Sequence, residues 1–181
     1  MGTKNKSLVF FSALVSLLSW QAQPAFAQDA EKYREASSAP PRFENYPTRV
    51  SHIESIPKLV LTTKLARSYR TAIRYAAALP VNFAGHFRVA TWGCGTDCRG
   101  FAIINKRTGI VYTAPSAEFV AGVMGNDDDR LEFRADSNLI IIAGLKNEEE
   151  EGKFYFLWKQ GKLHLLAKRP LVKKEIDPNA W

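Results

Sequence analysis

Cysteine, methionine and histidine are scarce: two, two and three among 181 residues. No second tight pair of thiol or imidazole ligands accompanies the cysteines, which argues against a structural zinc site. No apolar run is long enough to cross a bilayer as a helix. There is no glycine-rich phosphate loop, no Ser-His-Asp cue and no carboxylate pair of defined geometry. No repeat of solenoid or propeller length is present. These absences exclude the readily recognised nucleotide-binding, serine-hydrolase and repeat classes.

The first residues read as an export signal. Lys4 and Lys6 form a positive start, Leu8 to Leu18 is mostly apolar, and Ala25-Phe26-Ala27 offers small residues for a peptidase. Cleavage is expected before Gln28, and no cysteine near that point signals a lipid anchor. Residues 1–27 are thus the expected signal peptide, which leaves 154 residues, enough for one domain with a real core. The signal carries two lysines and no acids, so the remainder is charged +5 rather than +7. A basic balance in the cytosol would point to nucleic acid. After export the fitting partners are an anionic envelope component or a secreted protein, with no nucleic acid and no transmembrane segment. The expected location is the periplasm or the medium.

Residues 28–41 are polar and proline-broken, and read as a flexible leader. Residues 42–170 read as a single domain, and residues 171–181 as a tail. Within the domain, Phe43, Tyr46, Ile53 and Ile56 are placed to lay an extended arm on the body. Thr63 to Leu79 has one apolar stripe, Leu65, Tyr69, Ala72, Ile73 and Ala76, the mark of a helix capped by Thr62 or Thr63 and ended by Pro80. Arg67, Arg70 and Arg74 share a neighbouring face, either a solvated surface or a docking stripe for an anion.

From His86 the period changes to two. Phe87, Val89 and Thr91 face one way, and His86, Arg88, Ala90 and Trp92 the other. Phe101 to Ile104 and Ile110 to Tyr112 form a hairpin around Asn105–Gly109. Leu131 to Arg134 is a strand. Leu139 to Leu145 reads as a buried central strand. Phe154 to Trp158 and Leu163 to Leu166 form a hairpin turning near Gln160-Gly161. The expectation is an α+β fold: one antiparallel sheet of about six short strands with a single main helix packed on one face.

Asn82 to Ile104 organises the chain. It holds both cysteines, and an oxidising compartment favours their pairing. Cys94 and Cys98 flank Gly95, Thr96 and Asp97, close enough for a bridge across a tight turn. Five residues in the ring give about 2 kcal/mol from loop entropy, so the bridge shapes the loop more than it holds the fold. A stiff loop loses little entropy on binding. The candidate binding residues are Trp92, Gly93, Gly95, Thr96, Asp97 and Arg99, together with Arg67, Arg70 and Arg74. The competing reading is a structural clip on a hairpin end.

Cys94, His86 and Asp97 supply the residue types of a nucleophilic site, but a paired cysteine is no nucleophile. Three residues between the cysteines also depart from the thioredoxin spacing. Cys94, Cys98, His86 and Asp97 make four metal ligands only on paper. Asp127 to Asp129 lack the alternation of an EF-hand loop. No catalytic residue, metal or cofactor is assigned.

Asn82-Phe83-Ala84-Gly85-His86-Phe87, followed by Trp92-Gly93-Cys94-Gly95 and Cys98, resembles a group of small exported bacterial proteins with an N-F-A-G-H-aromatic and W-G-C-G-x-x-C core. Similarity extends over Phe43-Glu44-Asn45-Tyr46-Pro47, Arg70 to Arg74, Arg134 to Ser137 and Phe154 to Trp158. It covers roughly Phe43 to Leu166. The resemblance implies a single exported domain and no particular chemistry.

The functional expectation is a non-enzymatic extracytoplasmic binding module using the clipped loop. The alternative is an inhibitor that presents the loop to a secreted or envelope hydrolase, as lysozyme inhibitors do. Many lysozymes are basic, and like charge slows association with a basic inhibitor. A cysteine- or metal-dependent enzyme ranks third.

Overall fold

A computed structural model describes residues 39–174. The expected signal peptide, most of the leader and the last seven residues lie outside that range. Nine strands are joined in one sheet: β1 (Val60–Leu61), β2 (Phe87–Gly95), β3 (Cys98–Asn105), β4 (Ile110–Tyr112), β5 (Phe119–Ala121), β6 (Leu131–Phe133), β7 (Leu139–Lys146), β8 (Glu150–Lys159) and β9 (Lys162–Arg169). The α-helices among the described residues are α1 (Lys64–Ser68) and α2 (Arg70–Ala78).

The expected α+β fold of six antiparallel strands and one main helix is therefore corrected. The protein is mostly β, and the sheet is mixed, because β1 runs parallel to β4 with Val60 opposite Ile110 and Leu61 opposite Val111. The added strands, β1 and β5, are two and three residues long, too short to show alternation in a sequence, whereas β6 lies where Leu131 to Arg134 reads as a strand. They fill gaps beside and between two long hairpins. The neighbour order is β1-β4-β3-β5-β7-β8-β9, with β2 also on β3 and β6 also on β7.

The helix divides at Tyr69, whose backbone leaves helical geometry at φ −101° and ψ 23°. Tyr69 stacks its ring on Trp92, with centroids 4.4 Å apart and planes 14° off parallel. Bonds from Tyr69 N–H to Leu65 and from Ile73 N–H to Tyr69, both 3.1 Å, keep the break shallow. Thr63 caps the start by accepting from Ala66 N–H at 3.1 Å, and α2 stops before Leu79-Pro80.

Alternation sorts each hairpin onto two faces. Val89, Phe101 and Ile103 from β2–β3 meet Ile140, Ile142, Phe154, Phe156 and Trp158 from β7–β8 in one core. Each fully buried large side chain there contributes about 1.5–3 kcal/mol. The opposite residues, Ala90, Trp92, Ala102 and Ile104, carry the two helices through Ala66, Ile73, Ala76 and Ala77. Leu139, Ile141 and Tyr155 carry the arm through Phe43 and Tyr46. Both β3 and β7 are thus buried on two faces, as the continuous apolar run at Leu139 to Leu145 foretells.

The Asn82–Phe87 motif is a backbone junction. Phe83 and Phe87 exchange N–H···O bonds of 3.2 and 2.9 Å around Ala84 and Gly85, both at positive φ. A side chain at Gly85 would strike the Arg49 carbonyl at 2.6 Å, so only glycine fits. Asn82 acts as a missing strand: its amide oxygen accepts from Val89 N–H at 2.8 Å and its amide donates to the Val89 carbonyl at 3.4 Å. Ala84 and Gly85 donate to Ser137 and Ala135. Buried Ser137 in turn donates to the Phe43 carbonyl at 2.8 Å, so the segments around Phe43, Ala84 and Ser137 tie to one another.

Candidate functional site

Strand pairing runs almost to the tip of the β2–β3 hairpin. Gly95 pairs with Cys98, so only Thr96 and Asp97 form the turn. The stretch expected as a glycine-rich loop is therefore strand, with a register shift between Gly93 and Gly95. Asp97 sits at φ 51°, in the left-handed region tolerated by Asp. Cys94 and Cys98 are joined by a disulfide, their Cα atoms 5.1 Å apart.

The tip is braced on both sides. On one side, Trp92 is buried between the hairpin and Tyr69, and its indole lies over Gly100 in the facing strand. On the other, Cys98 and Arg99 pair with β5, and Gly122 N–H donates to the Asp97 carbonyl at 2.8 Å. The Asp97 carboxylate holds the Arg130 guanidinium at 2.7 Å. Arg130 also donates to the Asp128 carbonyl at 2.7 Å, which fixes the 127–130 loop against the tip.

Between tip and loop opens a cleft of about 450 Å³, lined by Thr91, Asp97, Arg99, Asp127, Asp128, Asp129, Arg130, Leu131 and Phe133. Its floor is apolar and its walls are charged. Most of those charges are paired. Lys153 sits 3.1 Å from both Asp128 and Glu132, and these two acids raise the Lys153 pKa against the opposing effect of burial. Lys174 pairs with Asp127, and the hydrogen bond it gives holds that carboxyl below the ordinary range. Two charges remain: among the described residues Asp129 makes no ion pair, and Arg99 reaches only the Cys98 carbonyl, at 3.2 Å.

The expected binding residues thus divide. Asp97 and Arg99 line the cleft, and Gly93, Gly95 and Thr96 are exposed beside it, with open space at both glycines. Trp92 supports the hairpin from the far face. Arg67, Arg70 and Arg74 are carried on α1 and α2, and none lines the cleft. Arg67 folds back onto the Leu61 and Thr62 carbonyls at 3.3 and 3.0 Å, so the stripe is not uniformly free. Asp127 to Asp129 and Arg130 complete a site that the sequence scatters, for only the short strands β5 and β6 bring them to the hairpin.

The Cys94–His86–Asp97 constellation is not assembled. Cys94 is oxidised, and His86 lies before the other end of β2, eight extended residues or roughly 26 Å away. Among the described residues no three His, Cys, Asp or Glu side chains converge as metal ligands. No helix among them is long and apolar enough to cross a membrane. The chain matches no protein-family model, no curated protein and no solved structure.

Proposed function

We propose that the protein is an extracytoplasmic, non-enzymatic binding module whose disulfide-clipped hairpin forms the rigid wall of a recognition cleft. The observation that carries this reading is the bracing of the Thr96-Asp97 turn. A covalent bridge, the Asp97–Arg130 ion pair and the Trp92–Tyr69 stack all restrain a surface element that buries little of its own side chains. Such restraint lowers the entropy lost on binding. The export-signal pattern of Lys4 to Ala27 and the oxidised cysteines support the location.

The cleft's own charge refines the partner. Among the described residues Asp129 and Arg99 are the unpaired ions on its walls, and Leu131 and Phe133 supply an apolar floor. A protein segment that presents one cation, one anion and an apolar side chain fits better than a purely anionic polymer. The exposed tip favours a second reading, an inhibitor that inserts the hairpin into a hydrolase. The concave surface beside the tip favours the first.

The test is capture by the immobilised full chain from envelope extracts, followed by Kd measurement with the isolated partner. Arg99→Ala and Asp129→Asn should each weaken binding about tenfold, the scale of one charge-assisted hydrogen bond. Unchanged affinity in both variants refutes the cleft as the site. Inhibition of a lysozyme or envelope hydrolase, lost on reduction of the disulfide, would favour the second reading.

A further inference from the structure

The opposite end of the same hairpin carries a second feature. Alternation continues past β3, so Ala102, Ile104 and Lys106 share the helix-bearing face. Lys106 is only 2 % exposed. Its ammonium donates to the Leu79 carbonyl at 2.5 Å, just beyond α2. Arg88 donates to the next carbonyl, Pro80, at 2.9 Å, and its Nε is buried without an acceptor. Helix C-terminal carbonyls attract cations, which accounts for one bond from each. Among the described residues that leaves two ammonium protons of Lys106 and the Arg88 Nε unused.

No carboxylate among those residues pairs with Lys106 or Arg88. Buried lysines are ordinarily paired. Burial, and then the charge of Arg88, hold the Lys106 pKa below its usual value. His86, whose carbonyl accepts from Lys106 N–H at 3.1 Å, is held low by burial and then by Arg107. Among the described residues, this end of the hairpin thus brings Lys106 and Arg88 together with no carboxylate paired to either.

Lys106 also lines a cavity of about 390 Å³, whose apolar walls are Val50, Ile53, Ala78, Pro80 and Val81. That volume lies within the range of small-molecule sites. The acid that lines it, Glu54, is highly exposed and lies 3.5 Å from His52.

We propose that this cavity binds a small carboxylate with an apolar body, its charge on Lys106 and its body against Val50, Ile53, Ala78 and Val81. The site is separate from the recognition cleft and does not depend on it.

The experiment titrates the full exported chain with hexanoate, hexanol and inorganic phosphate, followed by amide resonances. Hexanoate should shift Ser51, Ile53, Val81 and Lys106 saturably. Hexanol, which lacks the charge, and phosphate, which lacks the body, should each bind about tenfold more weakly or worse. Lys106→Met should lower hexanoate affinity about tenfold. Ala78→Leu, which narrows the cavity without touching the lysine, should also weaken it and serves if Lys106→Met does not fold. Unmoved resonances in the wild type overturn the proposal. So does phosphate binding as tight as hexanoate, or undiminished affinity in folded Lys106→Met.

Discussion

Replacing Gly100 by alanine tests whether the clipped hairpin is held from behind by Trp92. Gly100 lies opposite Trp92, and a Cβ there would land on the indole, overlapping Nε1 and reaching Cε2 at 2.7 Å. The indole cannot retreat freely, because Tyr69 stacks on it at 4.4 Å. Forcing a methyl into such packing costs about 1–3 kcal/mol, and disturbing the stack adds a share of its ~0.5–1.5 kcal/mol. A loss of about 2 kcal/mol follows, roughly 6 °C in Tm for a domain of this size. Gly93→Ala is the control. It lies in the same hairpin, has nothing within 4 Å of the new methyl, and should change stability by no more than about 0.5 kcal/mol. Urea unfolding followed by circular dichroism gives both values. In a Trp92→Leu background the Gly100→Ala cost should shrink, since the clashing ring is gone. Equal effects of Gly93→Ala and Gly100→Ala would refute the bracing role of Trp92.

Cys94→Ser/Cys98→Ser should lower stability by about 2 kcal/mol while the fold persists, and reduction of the wild type should give the same shift in urea midpoint. Asn82→Ala strands the Val89 N–H and carbonyl and should cost about 1–3 kcal/mol by chemical denaturation, with Asn82→Asp, which keeps the acceptor, less damaging. His86 is held below its ordinary value of 6.5 by burial and by Arg107, so the unfolded chain binds its proton more readily. Its contribution is therefore present above that value and lost as pH falls below it, with a slope under about 1.4 kcal/mol per pH unit. His86→Gln should flatten that slope in stability measured between about pH 5 and 8.

The two long hairpins were legible because their residues alternate over enough length to reveal a face. Phe87 and Val89 fall on one face, and Ala90 and Trp92 on the other, as their period demands. Gly109 and Gly161 sit at φ 76° and 74°, where turn chemistry places them. Short strands give no such signal. Val60 and Leu61 form a strand only because β4 offers its edge, and Phe119 to Ala121 because β3 and β7 leave a gap between them. The fold class changed on these tertiary opportunities, which no local window contains. The break at Tyr69 belongs with them, since its stacking partner Trp92 lies on a different element.

The site was half legible for the same reason. Cysteine spacing located the tip and its bridge, a local matter. The cleft depends on Asp97 meeting Arg130 and on the loop that follows β5, contacts between segments far apart in the chain. Lys106 is the instructive miss. Period two, extended by one step beyond Ile104, already puts it on the buried helix-bearing face, yet a turn at Asn105–Gly109 gives no cue to its burial.

The cationic end and the clipped end are thus two consequences of one strand pair, whose faces are set by alternation and whose ends are set by what packs against them. Because the ends are held by different partners, a perturbation at one should not spread to the other. The Asn82 amide grips Val89, next to Arg88, and Arg88 lies opposite Ile104, close to Lys106. The tip is farther along β2 and is fixed independently by the disulfide and by Arg130. Asn82→Ala should therefore shift the amide resonances of Arg88 and Lys106 more than those of Thr96 and Asp97. Shifts of equal size at both ends would show that the hairpin transmits the change as one rigid body, and that its two ends are not independently held.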